Sequence, residues 1–261
     1  MTSYDNIILE EDSGVATLFL NNPETRNPLT DGTKIEMISA LDEVEKNTAI
    51  RALIITGKGK AFCAGGDIKK IGKVPSEKEI REIMGKSQQL LKKLLGLEKP
   101  VVAAVNGDAF GMGCNLALAC DFVLASEKAR FCEVFVKLGI TPDFGALYFL
   151  PRLVGLGKSK EMAYLGNVVD AMEAQKIGLI ARVVPQDTLM DEAIGFSKKL
   201  ARRPTLAIGR AKRILNKAFD MTLSEVLEQE IKNQIYLTQT EDHAEGLRAL
   251  MEKRKPDFQG K

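Results

Sequence analysis

A single histidine, His243, and four cysteines with no Cys-x-x-Cys pair are all the imidazole and thiol ligands in this chain of 261 residues. A histidine-based metal cluster or a Ser-His-Asp triad is therefore hard to build. His243, in the polar stretch Thr240-Glu241-Asp242-His243, reads as a solvated helix residue. Cys63, Cys114, Cys120 and Cys132 lie in apolar or glycine-rich surroundings, the pattern of buried free thiols in a reducing compartment. An excess of one charge is also missing: 37 Lys and Arg against 35 Asp and Glu leave a net +2. No strong field marks nucleic acid or a membrane surface as partner, so an anionic ligand has to be met locally. Apolar runs stop well short of a membrane span. Met1 to Ile7 lack the basic-then-apolar pattern of a targeting peptide, and Phe258-Gln259-Gly260-Lys261 is not a peroxisomal address. A cytoplasmic location is the expectation, with no metal and no redox cofactor.

The composition, 45% hydrophobic and 28% charged, is that of an ordinary globular protein, and the length suits one domain of moderate size with an appendage. Asn6 to Glu11 and Val15 to Asn21 are β-rich runs around Asp12-Ser13-Gly14, which predicts a hairpin. Thr30 to Lys46 places Ile35, Ile38, Leu41 and Val44 at helical spacing. Ala52 to Thr56 is a short buried strand ending in the glycine-rich loop Gly57 to Asp67, and a polar helical stretch follows to Leu97. Val101 to Val105 is a second strand, leading into Asn106-Gly107-Asp108-Ala109-Phe110-Gly111-Met112-Gly113 and a helix from Cys114 to Cys120. The strand, glycine loop, helix pattern thus occurs twice. Asp121 to Ala125 is a third strand, with a loop at Gly139 to Gly145 and a last strand at Ala181 to Val184. Met190 to Lys255 read as consecutive amphipathic helices, with Arg202-Arg203-Pro204 as a helix junction. The whole predicts an α/β core with a helical tail.

Glycine-rich turns at strand ends allow close approach of backbone to a ligand. Gly57-Lys58-Gly59-Lys60 lacks the Walker spacing, and Gly111-Met112-Gly113 lacks the third glycine of a dinucleotide fingerprint, so neither is read as a nucleotide site. What is left is two loops with free backbone N–H groups, the second opening a helix, where the dipole adds partial positive charge. Two such groups converging on one point make an oxyanion hole; two structural turns are the bland alternative.

Ala61-Phe62-Cys63-Ala64-Gly65-Gly66-Asp67-Ile68 and the run from Lys99 to Cys114 resemble the two signature stretches of the crotonase (enoyl-CoA hydratase/isomerase) family. The resemblance extends through the run from Leu118 to Ser126, Phe131, Leu138-Gly139, Pro142 and Leu150-Pro151-Arg152-Leu153-Val154-Gly155. It implies repeated ββα units wound into a spiral over residues 1–190, with a C-terminal helical region over 191–261 that forms trimers or dimers of trimers. It also implies acyl-CoA thioester substrates, so that coenzyme A arrives as part of the substrate. By position, the two oxyanion donors fall on Gly66 and Met112. Arg26, Pro28, Ala64, Gly65, Gly66, Asp67 and Ile68 match the positions that grip coenzyme A, although Arg26 reads equally as a solvated loop charge.

The two water-activating glutamates of the family's hydratases align with Asn115 and Phe135, neither of which is a base. The acid left is Asp143, which matches the acid of Δ3,Δ2-enoyl-CoA isomerases and of the phenylacetate-pathway ring-epoxide isomerase. A turn residue after Pro142 is its plain alternative. Phe110, Phe135, Phe144 and Leu147 are expected to wall it, and Asn115 to orient substrate or its carboxylate. Glu133 reads as a surface or supporting acid, Asp67 as a loop acceptor and Asp121 as structural. An isomerase with Asp143 as acid/base leads. A hydratase or hydrolase in which Asp143 works with Asn115 or Glu133, and a non-catalytic acyl-CoA-binding protein, stay open.

Overall fold

The computed structural model describes residues 3–67 and 75–261. The chain opens with β1 (Ile7–Asp12) and β2 (Val15–Leu20), antiparallel in the register Ile7 opposite Leu20. Ser13 and Gly14 both take positive φ, 52° and 81°, as the right-handed twist of a two-residue hairpin asks. Helix α1 (Asp31–Lys46) starts where the Thr30 hydroxyl accepts from the Thr33 amide at 3.1 Å. It buries Met37, Ala40, Leu41 and Val44, whereas Ile35, expected inside, is exposed.

From there the chain repeats a two-strand, one-helix unit. β3 (Ala52–Gly57) and β4 (Ala61–Cys63) precede α2 (Glu77–Gly96), which begins with a Ser76/Glu79 capping box. β5 (Val101–Val105) and β6 (Asp108–Phe110) precede α3 (Met112–Leu118). β7 (Phe122–Ser126) and β8 (Arg130–Cys132) precede a short 3-10 segment (Val134–Leu138) and α4 (Ala146–Leu165), which is broken at Gly155. β9 (Val168–Asp170), α5 (Ala171–Lys176) and β10 (Arg182–Val184) close the core. The first strands of the units enter one sheet, in order β1-β2-β3-β5-β7-β10, and the second strands another, β4-β6-β8-β9. Each unit therefore adds one strand to each sheet, and the path is a spiral.

Strands β3 and β5 are buried along their whole length because both faces of the parallel sheet are covered. Leu53, Ile55, Val101, Ala103 and Val105 face a core shared with α1, α2 and α3. The alternate residues Ala52, Ile54, Val102 and Ala104 face Leu189, Ala193 and Ala201 of α6 (Leu189–Ala201). Helices α7 (Thr205–Leu215), α8 (Leu223–Leu237) and α9 (Glu241–Met251) follow; Arg202, Arg203 and Pro204 form the junction into α7, and His243 is exposed on α9. All four cysteines are buried and free. Among the described residues, no helix is long and apolar enough to cross a membrane.

The three-residue strands β4, β6, β8 and β9 are not in the sequence reading, which put β4 and β6 in glycine loops, left β8 unassigned and took the stretch holding β9 as mostly helical, and α3 begins at Met112 rather than Cys114. Segments this short have no period of their own; pairing with a neighbour makes them strands, as in Ala61 opposite Asp108 and Asp108 opposite Arg130. Asp121 is structural, as expected: its carboxylate accepts from the Val101 amide at 2.7 Å and pairs with the buried Lys212 ammonium at 2.8 Å. Asp121→Ala removes both partners and leaves a buried cation uncompensated. It is expected to cost about 3 kcal/mol in urea unfolding.

Candidate active site

The two glycine loops lie side by side because β4 pairs parallel with β6. The approach is too close for side chains. A Cβ at Gly113 would sit 2.2 Å from the Cys63 carbonyl oxygen, and one at Gly65 2.8 Å from the Phe110 carbonyl oxygen and 3.6 Å from the Met112 amide nitrogen. Gly65 also takes a φ of 102°. Only glycine meets both demands.

A third segment joins them. The Ala64 amide donates to Arg26 O at 2.9 Å, and the Leu29 amide donates to Gly65 O at 2.8 Å. Leu29 and Gly66 form a parallel bridge that runs through the residue before Gly66 rather than through the Gly66 amide. Arg26, exposed and in the left-handed region, and Pro28, half-buried, are thus zipped to Ala64, Gly65 and Gly66. Asp67 is half-buried at the end of this run, and Ile68 lies outside the described residues.

Asn27, which the sequence reading passed over, is the clamp of this arrangement. Buried and left-handed at φ 57°, it donates to Lys58 O at 2.9 Å and Ala61 O at 2.8 Å and accepts from the Asn22 amide at 2.9 Å. The signal was there in principle, since an Asn before Pro in a turn is a residue that tolerates that conformation.

Met112 is the first residue of α3, entered from Gly111 at φ 52°. Its amide belongs to the first helical turn, where no intrahelical acceptor exists. Gly66 is exposed and Met112 buried, on adjacent loops. One turn further on, the wholly buried Asn115 donates to Asp143 O at 3.0 Å and, at the outer limit of a hydrogen bond, to Glu133 Oε2 at 3.5 Å. Asn115 therefore holds the backbone of Asp143, where the sequence suggested its carboxylate.

Asp143 stands in the loop before α4, flanked by the buried Phe144 at φ 49°. Burial pushes its carboxyl up to about 6, although Lys34 draws it down. Of the expected apolar wall, Phe135 and Phe144 are buried, Phe110 is half-buried and Leu147 is exposed. Phe135 approaches Gly111, with ring carbons 3.5 and 3.6 Å from where a Cβ would be. Position 135 is thus an apolar surface beside the start of α3.

Glu133 is the main correction. Read from sequence as surface or supporting, it is 0% exposed, and burial pushes its carboxyl up to about 7, with the Asp143 charge adding to the rise. No local signal shows this. Glu133 follows β8 directly, and only the packing of α3 and the Asp143 loop over that strand end seals it.

Residues 10–261 match the family model for enoyl-CoA hydratase/isomerase. The chain belongs to the enoyl-CoA hydratase/isomerase family. It is 38% identical over 257 residues to a crotonyl-CoA hydratase of Syntrophomonas wolfei and 37% identical over 260 residues to the 1,2-epoxyphenylacetyl-CoA isomerase of Escherichia coli, in each case covering 98% of both chains. The crystal structure of an enoyl-CoA hydratase from Bacillus anthracis superposes with a TM-score of 0.93 at 34% identity, over 98% of this chain and 100% of that one. The α/β spiral of this enoyl-CoA hydratase/isomerase family member is therefore the crotonase fold, and its similarity runs to hydratases and to an isomerase alike.

The two glycines of the opening separate by substitution. Gly113→Ala forces β4 away from α3 and is expected to cost about 1–3 kcal/mol in urea unfolding. Gly66→Ala meets nothing within 4 Å and is expected to stay within about 0.5 kcal/mol of the parent.

Proposed function

We propose that the chain is an acyl-CoA isomerase that shifts a double bond from the 3,4 to the 2,3 position, or rearranges a ring acyl-CoA, with Asp143 as its acid and base. The observation behind this is a half-buried Asp143 whose carboxyl is pushed up by desolvation, in a site whose other two positions hold Asn115 and Phe135. Asn115 is an amide holding backbone and Phe135 an apolar surface, so neither activates water. The substrate's own coenzyme A would lie along Arg26, Pro28 and residues 64–68, with no further cofactor.

In this reading the Asp143 carboxylate takes a proton from C2. The C–H electron pair moves through C1, and the negative charge comes to rest on the thioester oxygen, which the Gly66 and Met112 amides receive. One such donor is worth about 3 kcal/mol of barrier. Asp143, now protonated, returns the proton at C4, the carbonyl re-forms and the double bond settles between C2 and C3. Nothing is gained or lost in mass.

A hydratase is the second reading, favoured by Glu133, a second buried carboxyl in the same site, and by the hydratase among the relatives. A homotrimer or dimer of trimers is part of the proposal, supported by the exposed stripe Leu223, Leu227, Ile231 and Ile235 along α8.

Incubation with a 3-enoyl-CoA is expected to raise conjugated-thioester absorbance with no change in mass, and Asp143→Asn to lower kcat by about 10²–10⁴-fold. Addition of water to a 2-enoyl-CoA, with no turnover of the 3-enoyl-CoA, would overturn the isomerase. Because the base must be ionised, kcat is expected to fall as pH drops through about 6, measured on the same substrate.

A further inference from the structure

One buried carboxyl has no task in the proton transfer above. Glu133 Oε1, Asn115 Oδ1 and Asp143 Oδ1 are all buried, and none has a hydrogen-bond partner among the described residues. All three are acceptors, and the Asn115 amino group is already engaged with Asp143 O and Glu133 Oε2. The Cys114 thiol and the Asn115 amino group serve the Glu133 carboxyl, yet Glu133 Oε1 and Asp143 Oδ1 are left without a donor; unpaired buried acceptors are costly, and of these groups only a carboxyl can remedy it, by keeping a proton. Two carboxylates in one desolvated site cannot both ionise cheaply.

We propose that Glu133 is a positioning residue that keeps the resident proton of the site, so that the pocket holds one negative charge and Asp143 is the carboxyl left ionised as the base. The surroundings agree. Glu133 faces Cys114 and Asn115 of α3, Cys132 of β8 and Asp143 of the loop; Lys34 of α1 acts on Asp143, and Lys137 of the 3-10 segment on Cys132. The Cys114 thiol is pushed far up by burial and stays neutral. Lys34, itself paired with Asp31 at 3.4 Å, draws Asp143 down and not Glu133. Glu133 is wholly buried, whereas Asp143 is half-buried with the Lys34 charge acting on it, and that difference in solvation gives the last proton to Glu133. When Glu133 does ionise, a second negative charge stands beside the place where enolate charge has to develop, and the rate falls.

The kinetic part rests on the isomerase reading; the location of the proton does not. Glu133→Gln keeps shape and stays neutral at every pH. With a 3-enoyl-CoA, the wild-type kcat profile is expected to be bell-shaped, and E133Q to keep the acid limb and lose the alkaline one. Each normalised at its acid-side maximum, the two are expected to differ by about tenfold or more near pH 9. Superimposable profiles would overturn the proposal. Infrared titration of the whole protein is expected to show a protonated-carboxyl band that vanishes as pH rises through about 7, survives in D143N and is missing in E133Q. No such band in the wild type just below that pH, or one lost in D143N and kept in E133Q, would also overturn it. The expected band without any isomerase turnover would remove the isomerase reading and leave the proton on Glu133.

Discussion

Residues 61–66 and residues 108–113 approach so closely that no side chain fits between them, and the site follows from that approach. With Gly113 against the Cys63 carbonyl and Gly65 against the Phe110 carbonyl, the backbone of one loop becomes the wall of the next. The start of α3 is then fixed relative to Gly66. The two loops meet through main chain, so what selection can vary is the spacing around them. Asn27 guards that spacing from a third segment by capping carbonyls on both sides of the turn before β4.

One turn of α3 connects this frame to the acids. Asn115 lies three residues beyond Met112, on the inner side of the helix, and reaches two other parts of the chain: the backbone of Asp143 and the carboxyl of Glu133. The same helix thus presents a first-turn amide at its start and braces the Asp143 loop behind it. Burial does the electrostatic work in this region, since both carboxyls are raised chiefly by desolvation. A site of low polarity makes an acid a better base at neutral pH and also limits how much charge the pocket tolerates.

The chain departs from the hydratase pattern at two positions, and the structure gives each a new part. Asn115 has become a hydrogen-bond donor to main chain, and Phe135 an apolar neighbour of Gly111. Neither side chain is a carboxylate, and the fold they stand in is shared by enzymes with different outcomes.

The hairpin around Ser13-Gly14, the helix from Thr30, the buried strands β3 and β5 and both glycine loops were legible in the sequence. Each is a local matter: a turn demanding positive φ, an N-cap, a run of β-branched residues, a backbone that must lie bare. So were Gly66, Met112 and Asp143 as candidates, through the resemblance of their segments. The short strands β4, β6, β8 and β9 were not, because a three-residue strand exists only by virtue of its partner. Nor were the exposed Leu147 and the sealed Glu133, since which side of a loop meets solvent depends on what packs over it. Residue order along the chain sets which side-chain types stand at the site and where the backbone has to bend. Tertiary structure alone decided which acids lose water, because desolvation is a property of everything around a group and of nothing in its own stretch of chain.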